Sequence, residues 1–395
     1  MSREYDFTSI VDRSKDNSNK WELMKVWNPQ VEEGIVPFSV ADLDMKIAPE
    51  IVEGLQDYIG NTVLGYTMVG PEYKQAIMDW NKNRHDWLVD PDWILTSSGV
   101  VPALYTAIHA YTQPDQAVAI MTPVYHPFKM AIQNTKRQVV EVPLEEDFPT
   151  YQINFSALEK ALQRPDVSLL FLCSPHNPVG RVWTKEELST ISHLAFDNDV
   201  VVVADEIHYD IIFPGYQHTV FAALSDQARD NCIVCTAPSK SFNIAGLQAS
   251  TILIPNPDLR QKFRDAQVCS GFECINMLGA KATELAYTKA GKWMEELVDL
   301  SVHNHQVLKD YLGQHLPQVK VYDIQGTYLQ WLDFRPLGIP AKELENLLHK
   351  EAQVFLNEGY IFGANGEGFG RMNIACPTEV LVAALERMVE VLSKV

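Results

Sequence analysis

The sequence predicts an α/β protein whose mostly parallel sheet carries helices on both faces, joined to a smaller α+β domain. Three observations support this fold class: short apolar runs without polar alternation, helical segments between these runs, and a change of pattern near residue 292. At 395 residues, the chain is about two to three times the usual single-domain length, which favours two domains.

The strands of the main sheet are predicted from runs that are apolar on both faces, which is typical of buried parallel strands. In chain order we predict strands at Trp93–Ser97, Ala117–Met121, Ser168–Cys173, Val200–Ala204 and Cys232–Thr236. The first of these runs is the least strictly apolar, and the other four read as fully buried.

Helical segments lie between these strands. A helix is predicted over Val101–Tyr111, opened by Pro102, and a second begins after Thr184, which forms a capping box with Glu187. Strand and helix alternate over Asp90–Asn256, and this alternation predicts a mostly parallel sheet.

The last hundred residues differ in pattern. A long helix is predicted at Trp293–Leu316, followed by two strands in the segment KVYDIQGTYLQWLDF. We therefore predict a small C-terminal α+β domain at 291–395, a large ligand-binding domain at 51–290, and an N-terminal segment, 1–50, that joins the small domain.

Composition excludes several classes of protein. The chain is 46% apolar and 21% charged, which is ordinary for a core-forming protein. With 32 Lys and Arg against 51 Asp and Glu, the net charge is −19, which disfavours nucleic acid and anionic membranes as partners. No apolar run approaches the ~20 residues of a membrane span. The first residues, MSREYDFTSI, are charged where a secretory signal is apolar, so we expect a cytoplasmic protein.

The six cysteines are scattered, unlike a disulfide framework. Cys232 and Cys235 form a CxxC, which is compatible with a redox or a zinc site. However, these two residues lie in a predicted strand, where positions i and i+3 face opposite sides, and no second ligand pair is present. We interpret them as buried structural thiols and expect no metal site.

Polar residues collect directly after the predicted strands. Ligands of open α/β sheets bind outside the carboxyl ends of the strands, so these residues should lie close together. In strand order, the segments are Ser98-Gly99-Val100-Val101, Thr122-Pro123-Val124-Tyr125, Ser174-Pro175-His176-Asn177-Pro178, Asp205-Glu206-Ile207-His208 and Ala237-Pro238-Ser239-Lys240.

Each segment also has an ordinary structural interpretation. Ser98-Gly99 is compatible with a turn and helix cap, Asn177-Pro178 with a turn, and Lys240 with a solvated surface residue. Tyr125 and His208 are compatible with core residues. An acid directly after four valines, in contrast, is costly to bury without a cationic partner.

Taken together, the residues match one cofactor, pyridoxal 5′-phosphate. A lysine forms a Schiff base with its aldehyde, and an acid keeps its pyridine nitrogen protonated, which makes the ring an electron sink. An aromatic side chain stacks on the ring, while an amide and a histidine can bond the ring oxygen. The backbone N–H groups of Gly99, Val100 and Val101, at a helix start, are suited to the phosphate.

The chain resembles the class I/II pyridoxal-phosphate enzymes of fold type I. The resemblance rests on SPHNPVGRVW, VADEIHYD, APSKSFNIAGL and GRMNIACP, in this order, and covers nearly the whole chain. It implies that Lys240 is the Schiff-base lysine, that Asp205 pairs with the pyridine nitrogen, that Asn177 bonds the ring oxygen, and that Tyr125 stacks on the ring.

The same resemblance implies two roles outside these segments. Arg371 matches the arginine that binds the substrate α-carboxylate; its ordinary interpretation is a solvent-facing arginine after the loop GANGEGFG. Tyr66, in LGYTMVG, matches a tyrosine that reaches the phosphate in the neighbouring subunit, which implies a homodimer with active sites at the subunit interface.

Within this superfamily the chain is most similar to the MalY/PatB-type cystathionine β-lyases, the C–S lyase branch. SVADLDMKIAPEI is similar to their N-terminal segment, and His208 stands where most aminotransferases have tyrosine. Gln248 replaces a phosphate-binding arginine and Ala237 replaces a serine, so the phosphate has fewer side-chain partners, and Ser239 is assigned to the cofactor site only by its place beside the lysine.

The resemblance implies α,β-elimination of L-cystathionine and other S-substituted cysteines to a thiol, pyruvate and ammonia. An aminotransferase would use the same residues. A cofactor-binding regulator would need a basic DNA-binding segment ahead of the fold, whereas the segment formed by the first 50 residues is too short and too acidic for that role. The sequence leaves open whether the pathway is methionine biosynthesis or cysteine-conjugate breakdown.

Overall fold

The computed structural model describes residues 4–395, so the first three residues of the predicted 1–50 segment lie outside the described part of the chain. The helices are α1 Asn19–Trp27, α2 Pro49–Asn61, α3 Pro71–His85, α4 Val100–Tyr111, α5 Pro127–Asn134, α6 Phe155–Leu162, α7 Lys185–Asp197, α8 Asp226–Asp230, α9 Pro238–Ser241, α10 Pro257–Cys269, α11 Met277–Lys289, α12 Gly291–His315, α13 Ala341–Asn346 and α14 Thr378–Leu392. The strands are β1 Ile94–Ser97, β2 Ala117–Thr122, β3 Gln138–Pro143, β4 Glu145–Asp147, β5 Thr150–Gln152, β6 Val167–Cys173, β7 Val201–Asp205, β8 Cys232–Thr236, β9 Ser250–Leu253, β10 Lys320–Val321, β11 Leu329–Asp333, β12 Asn357–Glu358 and β13 Phe369–Asn373.

The main sheet has seven strands in the order β1-β9-β8-β7-β6-β2-β3. The run from β8 to β3 is parallel throughout, whereas β9 is antiparallel to both β1 and β8. The predicted mostly parallel sheet is therefore confirmed, and the five predicted strands agree with the structure to within about one residue at each end. Strands β3 and β9 were not predicted from the sequence.

Both faces of this sheet are buried. Along β8, Cys232 and Val234 pack into one hydrophobic cluster, while Ile233 and Cys235 pack into another on the opposite face. The two cysteines of the CxxC thus point to opposite sides, as the strand geometry predicts. Within residues 4–395, no three His, Cys, Asp or Glu side chains are arranged to hold a metal ion.

Helix α7 begins as predicted. The Thr184 hydroxyl accepts the N–H of Glu187 at 3.1 Å, and the Glu187 carboxylate accepts the N–H of Thr184 at 2.7 Å, so the capping box is complete.

A second, antiparallel sheet has the order β10-β11-β13-β12 and its own hydrophobic cluster, which includes residues of α12 and α14. Helix α12 belongs to both cores: Trp293 and Leu297 pack into the large one, and Leu308 and Leu312 into the small one. The long helix is confirmed, as are the two strands predicted after it.

The N-terminal segment contacts both cores. The N–H of Phe38 donates to the carbonyl of Phe355 at 2.9 Å, next to the small sheet, whereas Leu43 and Met45 pack into the large core. The division at residues 50 and 290 stays a prediction. No helix within residues 4–395 combines the length and the apolar character needed to cross a membrane.

Candidate active site

A cavity of about 520 Å³ lies where the parallel strands of the main sheet end. This volume is within the range of small-molecule sites. All the predicted site residues except Tyr66 line it: Gly99, Val100, Val101, Tyr125, Asn177, Asp205, His208, Ser239, Lys240 and Arg371.

Lys240 lies in the short helix α9, which follows β8. Its Nζ donates a hydrogen bond to the backbone carbonyl of Ala41, at 2.8 Å. Burial lowers the pKa of Lys240 from 10.5 to about 8; the charge of Arg371 adds to this effect, while Asp42 and Asp205 oppose it. At pH 7 about a tenth of this amine is therefore uncharged, far more than for a lysine of ordinary pKa.

Asp205 ends β7 and is only 3% exposed. Its Oδ1 accepts the N–H of Ile207 at 3.2 Å. Burial raises the pKa of Asp205 to about 7, against the opposing effects of this hydrogen bond and of the charge on Lys240. A cationic N–H donor placed beside this carboxyl would favour its ionised form.

The start of α4 forms another wall of the cavity. The helix begins at Val100 after Gly99, and no side chain caps it. Pro102, the third residue of the helix, has no N–H, so the N–H groups at this end are those of Gly99, Val100 and Val101. An uncapped helix start that faces a cavity is suited to an anion.

Tyr125 and His208 add ring systems to the cavity wall. Burial raises the pKa of Tyr125 to about 12, and the charge of Asp205 contributes. Burial lowers the pKa of His208 well below its usual value, with smaller effects from Lys240 and Arg371, so its imidazole is neutral. The Nδ1 of His208 is buried without a hydrogen-bond partner among residues 4–395.

Arg371 enters the cavity from β13 of the small sheet and is 4% exposed. Its NH1 donates to Asn177 Oδ1 at 2.8 Å and its NH2 to Asn357 Oδ1 at 2.7 Å, while its guanidinium lies 4.7 Å from the ring centroid of Phe362. Burial lowers the pKa of Arg371 to about 10, which leaves it protonated at neutral pH. The two amide contacts fix the plane of the guanidinium.

Two side chains near Arg371 were missed by the sequence analysis. Asn357 lies in the two-residue strand β12, which has no pattern that would distinguish it from a loop. His126 follows Tyr125 and lines the cavity, with its Nδ1 buried and unpartnered in the described chain. Burial, together with the charge of Arg371, lowers the pKa of His126 to about 4.

The segment before α2 crosses the cavity. Val40 lines it with a φ of 57°, a left-handed conformation that is unusual for a β-branched residue. The side chain of Asn373 donates to the carbonyls of Val40 and Asp42, at 3.0 and 2.8 Å, and the Tyr328 hydroxyl donates to the carbonyl of Ala41 at 3.2 Å. The strained backbone is thus held by side chains of the small sheet and the loop before it.

Helix α1 forms the outer wall, which the sequence analysis also missed. Asn19, Leu23 and Trp27 line the cavity, and their spacing of four residues places them on one face of the helix. Two neighbouring residues anchor the helix, since Lys20 and Trp21 both donate to the carboxylate of Asp44, at 2.7 and 2.8 Å, and Lys20 also donates to the carbonyl of Asp42 at 3.2 Å. The i, i+4, i+8 spacing of these three cavity-lining residues was the sequence pattern that could have identified this face of the helix.

Tyr66 lies outside the cavity of its own chain. It is fully exposed, in a segment that also exposes Val63, Leu64 and Met68. Its predicted place in a neighbouring subunit's site stays a prediction.

The residues of the cavity fit pyridoxal 5′-phosphate. A buried carboxyl at Asp205 suits a protonated ring nitrogen, the uncapped start of α4 suits a phosphate, and the unpartnered Nδ1 of His208 suits a polar atom of a ligand. The Lys240 amine, whose pKa is lowered, suits an aldehyde.

Comparison with known proteins agrees with this fit. The chain is 40% identical to the cystathionine β-lyase PatB of Bacillus subtilis over 358 residues, which cover 91% of this chain and 92% of that protein. Its structure matches cystalysin from Treponema denticola, which contains a pyridoxal 5′-phosphate cofactor, with a TM-score of 0.98 and 44% identity over 99% of this chain and 100% of that chain. It also matches the PLP-bound C–S lyase from Staphylococcus hominis, with a TM-score of 0.92 and 31% identity over 99% of both chains.

These matches confirm the predicted fold type. Residues 33–388 match the family described as aminotransferase class I and II. The chain therefore belongs to the class I and II aminotransferase family.

Proposed function

We propose that this protein is a pyridoxal-phosphate-dependent carbon–sulfur β-lyase. It catalyses the α,β-elimination of L-cystathionine and related S-substituted cysteines to a thiol, pyruvate and ammonia. The observation that carries the proposal is that one cavity unites the buried Asp205, the Lys240 amine and the buried Arg371. Its relatives include a cystathionine β-lyase and a C–S lyase, which favour elimination over transamination.

When bound, pyridoxal 5′-phosphate supplies a carbonyl that reacts with amines and a conjugated ring that accepts the electron pair of a broken Cα–H bond. The residues that we propose for its binding surround the cavity. Asp205 would pair with the ring nitrogen, Tyr125 would stack on the ring, and Asn177 and His208 would bond its oxygen. Gly99, Val100, Val101 and Ser239 would hold the phosphate.

Arg371 binds the α-carboxylate of the amino acid. Its guanidinium is fixed by Asn177 and Asn357 before the substrate arrives, so little side-chain entropy is lost on binding. The carboxylate would gain a partner that is already desolvated and aligned. This contact orients the Cα–H bond of the substrate toward the lysine.

Lys240 Nζ acts as the general base at Cα. Burial lowers the pKa of the amine, so a fraction of it is uncharged near neutral pH and can accept the Cα proton, and the Ala41 carbonyl orients it. As the proton leaves Cα, the bond between Cβ and sulfur breaks, and the sulfur departs with its electron pair as a thiolate, which takes a proton. The remaining three-carbon fragment takes up water and yields pyruvate and ammonia.

The proposal includes a homodimer in the cytoplasm, with active sites at the subunit interface, and a role in methionine biosynthesis. The dimer is supported by the exposed apolar segment around Tyr66, which would reach the neighbouring site. A contiguous apolar segment of this kind is typical of an interaction surface. Cleavage of cystathionine would supply homocysteine to the methionine pathway.

The first test is thiol and pyruvate release from L-cystathionine with no keto acid present. We expect steady turnover by the wild type and none by Lys240→Ala, because the variant lacks the amine that removes the Cα proton. Lys262 is exposed and does not line the cavity, so Lys262→Ala should match the wild type. Turnover that requires a keto acid would identify an aminotransferase, and full activity of Lys240→Ala would refute its assignment.

The pH dependence of Lys240 gives a second test. Since burial disfavours the charged amine, half of the amine should be uncharged near pH 8 and not near pH 10.5. In cofactor-free protein, brief labelling with an amine-selective reagent, followed by mass spectrometry, should show half-maximal labelling of Lys240 near pH 8. A midpoint near 10.5 would contradict the proposed environment.

Replacement of Asp205 by Asn keeps its shape and removes its charge. We expect the rate constant of elimination to fall by about 100-fold or more, because the ring nitrogen loses the anion that keeps it protonated. Asp205→Glu, which restores the charge, should recover part of the rate. Single-turnover kinetics at saturating cofactor would measure both, and an unchanged rate in Asp205→Asn would exclude the proposed role.

Mixing two inactive variants tests whether each active site of the dimer contains residues of both subunits. If Tyr66 serves the neighbouring site, Tyr66→Ala and Lys240→Ala subunits should together recover about a quarter of wild-type activity, because half of the random dimers contain one intact site. Asp205→Asn mixed with Lys240→Ala is the matched control, since both residues come from the same chain and no intact site can form. Equal results in both mixtures would contradict the shared site.

A further inference from the structure

A fully buried carboxylate, Asp210, lies behind the catalytic lysine and is absent from the cavity wall. Its Oδ1 is bonded to the indole N–H of Trp80 and to Nε2 of His85, both at 2.9 Å. Its Oδ2 accepts the hydroxyl of Ser241 at 2.7 Å. Three side chains thus converge on one carboxylate that the proposed reaction does not use.

Ser241 directly follows Lys240 and is itself fully buried. Helix α9, which carries both residues, is only four residues long. So short a helix has little rigidity of its own. Its orientation therefore depends on contacts such as the one between Ser241 and Asp210.

Asp210 also belongs to the turn that carries Asp205 and His208. Strands β7 and β8 are paired up to Asp205 and Cys235, and the N–H of Glu206 still donates to the carbonyl of Cys235 at 2.9 Å. Beyond this point the sheet no longer holds the two chain segments together. The bond between Ser241 and Asp210 joins them again, beyond both Asp205 and Lys240.

The other two partners anchor Asp210 to the body of the protein. Trp80 and His85 come from α3, and the Trp80 ring stacks on Tyr287 of α11 at 4.8 Å. The His85 ring stacks on Tyr209 at 4.0 Å. The carboxylate is consequently fixed against two packed helices, and through Ser241 it can fix α9.

We propose that Asp210 is a positioning residue that, through Ser241, holds the Lys240 amine at a set distance from Asp205. Neither Asp210 nor Ser241 lines the cavity. Because the lysine side chain is long, a small tilt of α9 moves its Nζ by a larger distance. Loss of the bond between Asp210 and Ser241, which we call the clamp, would therefore displace the amine from the cofactor aldehyde and from the Cα proton. This inference rests on the proposed role of Lys240.

The test compares Ser241→Ala with Ser301→Ala in the cofactor-loaded enzyme. Ser301 is the matched control, since it is equally buried and donates within its own helix to the carbonyl of Leu297 at 2.8 Å, away from the cavity. For Ser241→Ala we expect a fall in kcat of about tenfold to hundredfold with little change in KM, the cost of a misplaced catalytic group. Ser301→Ala should retain wild-type kcat.

A second readout needs no turnover. The visible absorbance of the bound cofactor should titrate with a shifted midpoint in Ser241→Ala, because the amine linked to it is displaced, and with the wild-type midpoint in Ser301→Ala. Failure of the wild type to bind the cofactor would refute the proposed function. A normal cofactor spectrum and pH titration in Ser241→Ala, with unchanged kcat, would refute only the clamp.

If Ser241→Ala does not fold, Asp210→Asn serves instead, since it keeps the shape and one acceptor oxygen while removing the charge. When both single variants fold, their double variant should lose less activity than the product of the separate losses, because both changes break one link. Fully multiplicative losses would show that the two residues act independently and would overturn the proposal.

Discussion

The spacing between the Asp205 carboxyl and the Lys240 amine is the constraint on which the site depends. In the function that we propose, the carboxyl would meet the ring nitrogen of the cofactor and the amine its aldehyde, so a displacement of either group would impair the reaction. The protein sets this spacing with adjacent parallel strands, β7 and β8, whose pairing ends at Asp205. Burial raises the pKa of the acid and lowers the pKa of the amine, so both groups titrate close to neutral pH.

The other walls of the cavity around this pair come from different parts of the protein. The helix start at Gly99 and the ring of Tyr125 come from the large sheet, whereas Arg371 comes from the small one. The strained backbone at Val40 lies between them and is held by Asn373 of the small sheet. Catalysis therefore requires both hydrophobic cores to be folded and in contact.

Much of this arrangement was predictable from sequence, for a physical reason. Fully buried strands are uninterrupted apolar runs, and the polar residue that follows each run must lie at the sheet edge, so Asp205, Asn177 and Lys240 were found by their positions. Strand β9 was missed because its sequence, STIL, is short, and because antiparallel pairing with its neighbours produces no sequence pattern of its own. Asn357 and the Ala41 carbonyl were missed because they act through long-range contacts, at sequence separations of 14 and 199 residues from their partners.

The anchoring of helix α1 has a consequence for substrate choice. Leu23 and Trp27 border the cavity, while the buried Lys20 and Trp21 are bonded to the carboxylate of Asp44, and Lys20 also to the carbonyl of Asp42. The surface that would meet the departing half of a thioether is thus formed by side chains that take no part in these anchoring bonds. A change of Leu23 would therefore alter the room for the sulfur substituent and leave the anchoring bonds in place, whereas Trp27 is also held by stacking on His349 at 4.8 Å.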